Sequence, residues 1–259
     1  MRHLNRHFGY LGQKRLEDIQ PHDIMHVIDS LLSTPATANA TFCAIRGFFN
    51  WAVRRRYLDR SPCERMMLPT KPKTRDRVLT DDELKAVWNS ADYYPFGTLV
   101  RLLILTGQRR GEISAMTWPQ LGSQTLNFAP ELTKNHRPHE IPIGTLTRRI
   151  LDEIPRFQSE YVLPARAKPD RPYSGWSKGK RAFDKYCSVQ DWTLHDLRRT
   201  FATTHAAIGT PIHITERLLN HSSGALTPIA QVYNRHHYHD EMSEAVDRYE
   251  QHLIALVAS

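Results

Sequence analysis

Apolar residues recur three and four positions apart along most of the chain, and that period predicts helices before anything else. In "PHDIMHVIDSLL" the set is Ile24, Val27, Ile28 and Leu31. After "STP" a longer run places Phe42, Ile45, Phe49, Ala52 and Val53 on one stripe, with Arg46 and Arg54 to Arg56 around the same helix. No alternating run occurs before residue 70, so residues 1–70 read as a small all-helical domain. "LPTKPKTRDR" has the proline and charge content of a linker, assigned to 71–79. At "LTDDEL", Thr80 and Glu83 have the spacing of a capping box and open a second domain, 80–259.

The second domain changes period partway. "FGTLVRLLILTG" predicts a buried helix ended by Gly107, and "QRRGEISAMTW" a further helix start with Arg109 in the turn and Glu112 three residues on. In "TLNFAPELTKNHRPHEIPIG" the pairs Leu126/Phe128 and Ile141/Ile143 alternate, which predicts two strands around a polar hairpin tip carrying Lys134. "PARAKPDRPYSGWSKGK" reads as a loop. "TLHDLRRTFATTH" predicts a helix capped by Thr193, with Asp196 at its third position and its end at Gly209. "TPIHITERLLNHSS" predicts the next, with Thr210 as cap and Asn220-His221 at its end, and Thr227-Pro228 a third that carries Tyr233. "DEMSEAVDRYEQHLIALV" spaces Met242, Ala245, Val246, Tyr249, Leu253 and Leu256 as one apolar stripe. The fold class is mainly α with a small antiparallel β-sheet, an α+β arrangement.

Composition adds the partner. The net charge is +8, and its distribution is uneven. Residues 1–75 hold 13 Lys+Arg against 6 Asp+Glu, a net of +7, while residues 76–259 hold 22 against 21, a net of +1. A single triplet such as Arg54-Arg55-Arg56 suits a solvated helix face; a whole segment at +7, with Lys71 and Lys73 at its end, points to a nucleic-acid backbone. Cys43, Cys63 and Cys187 are scattered and odd in number, which predicts reduced packing residues in a cytoplasm. No apolar run approaches the length of a membrane span, so no membrane partner is expected.

His195 and Arg198 are the polar residues that a buried helix does not explain. In the first turn of a helix the free N–H groups and the dipole favour an anion, and an arginine one turn on supplies a fork that matches phosphate. Each candidate has a plain alternative: Arg109 as a surface charge beside Arg110, Lys134 as a solvated tip, His195 as a helix-start histidine, His221 as a helix end, Tyr233 as core. Tyr238 is a rival tyrosine five residues after Tyr233, and the histidines of "HHYH" at 236–239 face different ways on a helix, so no metal site is expected there.

In order, "LTGQRRGEISAM", "TKNHRPHEIPI", "LHDLRRTFATTH" and "LLNHSSGALTPIAQVYNRHHY" together resemble the tyrosine recombinase family, the phage-type integrases. The "YNRxxY" ending is similar to integrases of mobile genomic islands. The resemblance covers almost the whole chain, beginning at the core-binding domain; the arm-binding domain that many integrases carry in front of it has no counterpart in these residues. It implies a two-domain C-shaped clamp on double-stranded DNA, a tetramer on the recombination site that is a monomer when free, accessory DNA-bending proteins in some systems, and no metal or nucleotide cofactor. It also implies roles. Arg109 and Arg198 would neutralise the phosphoryl oxygens, Tyr233 attack the phosphorus, His195 take its proton, Lys134 protonate the leaving oxygen, His221 hydrogen-bond the phosphate, and Glu112 orient Arg109. Asn220 departs from the family, which usually has glycine there. The tail stripe would dock on a neighbouring protomer. Two further readings share this polar set: a type IB topoisomerase, separable by relaxation of plasmid that lacks an attachment site, and a catalytically silent DNA-binding protein of the same fold, separable by the absence of a covalent complex.

Overall fold

The structure, a computed structural model, describes residues 2–72, 74–221 and 237–258. Two compact units divide it, Met1–Arg75 and Asp76–Ser259. Lys73, Tyr233 and the helix start read at Thr227-Pro228 lie outside the described residues.

In the first unit α1 (Arg2–His7) and two single turns lead into α2 (Pro21–Ser30) and α3 (Pro35–Arg54). Proline at the first position of α2 and of α3 begins each helix where no N–H is needed. The predicted stripes meet: Ile24, Val27 and Ile28 of α2 pack with Phe42, Ile45 and Phe49 of α3, closed by Phe8, Leu11 and Cys63. Thr70 N–H donates to Asn39 Oδ1 at 3.1 Å and Asn39 Nδ2 to the Thr70 carbonyl at 2.9 Å, which ties the end of the unit back onto α3. Among the described residues this unit contains no strand. Cys43 faces solvent, so one of the three cysteines is not a packing residue; it falls on the polar side of α3.

The second unit is built around α5 (Phe96–Thr106), preceded by α4 (Asp81–Ser90) and followed by α6 (Arg110–Ser114). The capping box at α4 is formed, with Thr80 N–H to Glu83 Oε2 at 2.9 Å and Glu83 N–H to Thr80 Oγ1 at 3.3 Å. Every residue of α5 from Leu102 to Thr106 is buried, and Gly107 ends it at φ 63°. A Cβ on Gly107 would lie 2.5 Å from the Phe201 ring, so both the backbone conformation and the close approach of two helices require glycine. β1 (Thr125–Phe128) pairs antiparallel with β2 (His139–Pro142), Leu126 opposite Ile141. Then come α7 (Thr145–Asp152), β3 (Pro164–Ala165) antiparallel to β4 (Lys168–Pro172), α8 (Trp176–Phe183), α9 (Leu194–Ala207), α10 (Ile212–Leu218) and α11 (His239–Ala258). Residues 164–180, read as a loop, thus form a second two-stranded hairpin and most of α8; β4 is exposed and rich in proline and charge, so no apolar alternation marks it.

Two further details differ from the sequence reading for identifiable reasons. Thr210 is not the cap of α10, which begins after Pro211; its hydroxyl instead meets the buried ring of His205 at 3.0 Å. The tail helix α11 packs on its own unit: Met242, Ala245, Val246, Tyr249 and Leu253 are buried in the main core. Tyr249 donates to the Ile104 carbonyl at 2.9 Å, and Glu250 accepts from the Leu146 and Thr147 N–H groups at 2.7 and 3.0 Å, so it caps α7 from outside. Each large apolar side chain so buried stabilises by roughly 1.5–3 kcal/mol. No helix among the described residues is long and apolar enough to cross a membrane.

Candidate active site

The first turn of α9 is set by a carboxylate. Thr193 N–H and hydroxyl both donate to Asp196 Oδ2, at 2.8 and 2.9 Å, and Arg199 Nη1 reaches Asp196 Oδ1 at 2.6 Å. Asp196 is fully buried, so the turn is rigid, with His195 exposed and Arg198 buried. Arg198 Nη1 donates to the Gly107 carbonyl at 2.8 Å, and Nη2 donates to the Leu219 carbonyl. Both carbonyls lie at helix C-termini, those of α5 and α10, where unpaired oxygens and negative dipole ends are found. Two N–H groups of the fork are thereby fixed, and the others remain for an anion.

Arg109 caps α6, and Glu112, 2% exposed, holds it twice. Arg109 N–H donates to Glu112 Oε2 at 2.9 Å and Nη1 donates to Oε1 at 2.8 Å. The side chain of Arg109 keeps 27% of its surface exposed. The two arginines feel each other. Burial and then the neighbouring Arg109 charge lower Arg198 to about 10, against the opposing pull of Glu112 and Glu216. No carboxylate among the described residues pairs directly with Arg198. A buried guanidinium bonded, among the described residues, to neutral carbonyls beside a second cation favours a bound anion.

His195 sits in the same field. Its pKa is pushed below 6.5 by partial burial and by the Arg199, Arg198 and Arg109 charges, with Asp196 opposing, so it is a neutral base near pH 7. His221 follows α10, whose end has two reverse hydrogen bonds, Asn220 N–H to the Arg217 carbonyl at 2.9 Å and His221 N–H to the Glu216 carbonyl at 3.0 Å. That pattern needs a left-handed residue before His221. Asn220 supplies it at φ 51°, which explains how asparagine stands where glycine was expected. His221 Nδ1 lies 2.9 Å from Glu216 Oε1. Arg109, Glu112, His195, Arg198, Glu216 and His221 are therefore linked through contacts or mutual electrostatics. Lys134 is exposed at the tip between β1 and β2, and forms no hydrogen bond or ion pair with a described residue. Tyr238 lies before α11 at φ 56°, with its ring under Arg217 and against His213. In the first unit Arg46 lies over the Phe42 ring at 5.1 Å, and Arg54, Arg55, Arg56 and Lys71 are exposed.

Three polar residues escaped the sequence reading: Gln108, His139 and Glu216. Gln108 Nε2 donates to the Leu218 carbonyl at 2.7 Å, and His139 Nε2 lies 3.2 Å from the same oxygen. Burial lowers His139 to about 4, so its ring is neutral and donates there. One signal was available, since His139 shares the alternation of Ile141 and Ile143 and therefore faces the core.

The family model described as the phage integrase family matches residues 77–240. The tyrosine recombinase XerD of Staphylococcus aureus is 24% identical over 255 residues, covering 89% of this chain and 84% of its own length. Among solved structures, lambda integrase (75–356) as a dimer bound to a COC′ core site shares the fold at a TM-score of 0.64 and 20% identity, with 81% of each chain covered. Lambda integrase as a tetramer bound to a Holliday junction gives 0.63 and 20%, covering 81% of this chain and 66% of that one.

Proposed function

This chain belongs to the phage integrase family, and from that premise we propose that it is a site-specific DNA recombinase that integrates or excises a mobile element by cutting and rejoining strands through a 3′-phosphotyrosine. The observation that carries the reading is Arg198, a buried cation bonded to two helix-end carbonyls and, among the described residues, paired with no carboxylate, next to Arg109. A phosphodiester fills that place. Its non-bridging oxygens gain charge as the phosphorus becomes pentacoordinate, and fixed donors then act most strongly.

In this mechanism the Tyr233 hydroxyl attacks the phosphorus while neutral His195 accepts its proton. The bond from phosphorus to the 5′ oxygen breaks, and Lys134 gives that oxygen a proton. His221, steadied by Glu216, hydrogen-bonds the phosphate, and Glu112 aims Arg109. Rejoining is the reverse, with a 5′ hydroxyl of the partner strand as nucleophile, so the bond energy is kept in the phosphotyrosine and no external energy source enters. Residues 1–70 serve as the core-binding domain, 71–79 as linker and 80–259 as catalytic domain. Arg46, Arg54, Arg55, Arg56, Lys71 and Lys73 contact the DNA backbone. The working assembly is a tetramer on DNA, formed from free monomers, with accessory bending proteins where the site demands them, in a prokaryotic cytoplasm.

The test uses nicked duplexes with randomised sequence around the nick, whose short released fragment diffuses away after cleavage. Adducts stable to detergent and to EDTA are expected, on a restricted set of sequences, and none with Tyr233→Phe. Cleavage that needs a divalent metal and leaves no adduct would overturn the reading. Relaxation of any supercoiled plasmid without sequence preference would favour the topoisomerase.

A further inference from the structure

The tip that carries Lys134 is closed on itself. Arg137 N–H donates to Thr133 Oγ1 at 3.1 Å, the same hydroxyl lies 2.7 Å from the Arg137 carbonyl, and His136 takes φ 54°. Among the described residues, one hydrogen-bonded pair joins residues 131–137 to another element. Asn135 Nδ2 donates to Asn220 Oδ1 at 2.7 Å, and Asn220 Nδ2 donates to Asn135 Oδ1 at 3.3 Å. The two partners are 85 residues apart. Each sits beside a residue of the site: Asn135 follows Lys134, and Asn220 precedes His221. Adjacent Cα atoms are about 3.8 Å apart, so this pair fixes how far the lysine backbone lies from the histidine backbone.

Asn220 does two things that separate cleanly. Its backbone takes the left-handed conformation that ends α10, which glycine would do as well. Its side-chain amide reaches the tip, which glycine cannot do. We infer that the Asn135–Asn220 amide pair is a latch that positions Lys134 against the phosphate site. Both are positioning residues, and the inference rests on the recombinase reading only for the role of Lys134. Two partly buried neutral hydrogen bonds bias a loop by roughly tenfold, enough to favour the docked tip and weak enough to release it in each cycle.

The experiment compares the full chain with Asn220→Gly, Asn135→Ala, the double variant and Lys134→Ala, on a duplex recovered from the randomised pool. Two versions of the duplex are used, one ordinary and one with sulfur in place of the bridging 5′ oxygen. A thiolate, whose conjugate acid has a pKa of about 8.5, leaves without being protonated, so sulfur removes the need for Lys134. On ordinary DNA each single latch variant is expected to form adduct about tenfold more slowly, and the double variant no more slowly than either. On the sulfur duplex those losses disappear. Additive losses, equal losses on both duplexes, or no loss would overturn the latch. If Lys134→Ala cleaves ordinary DNA at the native rate, the lysine's role falls instead. Hydrogen exchange of free protein then decides the latch: faster exchange at residues 134–137 in Asn220→Gly supports it, and unchanged exchange refutes it.

Discussion

Arg198 and the triplet Arg54-Arg55-Arg56 are the same residue type in opposite settings. Arg198 is 5% exposed and bonded to two helix-end carbonyls. The triplet ends α3 in solvent; Arg54 Nε reaches the Asn50 carbonyl at 3.3 Å, Arg55 caps the helix and Arg56 turns away at φ 60°. A buried cation is expensive and is held in one place, so it acts on a specific atom. Exposed cations are cheap, screened by salt and interchangeable, so they act on a polyanion as a whole. Position within the fold, more than residue type, thus separates chemistry from affinity. Arg109 lies between the two extremes, part exposed but aimed by a buried carboxylate.

The largest effect that probes this difference is Arg198→Lys. The charge stays while the fork is lost, and adduct formation should fall about a hundred- to a thousandfold. The salt dependence of DNA binding should hardly move; a changed slope with an intact rate would erase the distinction. Neutralising Arg54, Arg55 and Arg56 together should do the reverse. Loss of about three phosphate contacts lowers the log–log salt slope by roughly 2.7 and leaves the rate on saturating DNA near native. Glu112→Gln should cost about tenfold in rate, because Arg109 keeps its charge and one hydrogen bond but loses its aim.

The smallest effect is a pH signature that only the buried groups carry. Burial lowers both His139 and His205 to about 4 from 6.5. The unfolded chain therefore binds more protons between those values, and stability is full above 6.5 and falls as pH drops toward 4. From pH 7 to 6 the loss should be about 1 kcal/mol in all, read as a thermal midpoint lower by a few degrees. His205→Phe should reduce that slope by about half, and a slope unchanged by it would mean that folding leaves the His205 pKa unshifted. His195 adds no stability argument, but the acid limb of adduct formation should lie below 6.5, because its pKa is lowered.

What the sequence disclosed follows the range of the interaction. Capping at Thr80/Glu83, Arg109/Glu112 and Thr193/Asp196 spans three residues each, and all three are formed. The apolar stripes of α2 and α3 are legible because period alone decides which side is buried, and α5 is legible because its nearly continuous apolar run leaves little polar side. Gln108 and His139 converge on Leu218 across 110 and 79 residues, and no local pattern announces such a meeting. The stripe of α11 was visible, but a stripe does not say what covers it, and here the covering surface is the chain's own core. Asn220 departs from glycine in the sequence; its left-handed turn and its partner 85 residues away belong to the fold and leave no local mark.

In the proposed reaction a tyrosine hydroxyl of this chain replaces the 5′ oxygen on a phosphorus held by Arg109 and Arg198. The most direct measurement traps the adduct on a nicked duplex, digests the protein, and locates the modified residue by mass spectrometry of the DNA-linked peptide. A 3′-phosphoryl group on Tyr233 is expected, with Tyr238→Phe leaving the adduct intact. A linkage on Tyr238 would contradict the assignment of the nucleophile, and cleaved DNA with no linked peptide would contradict the mechanism.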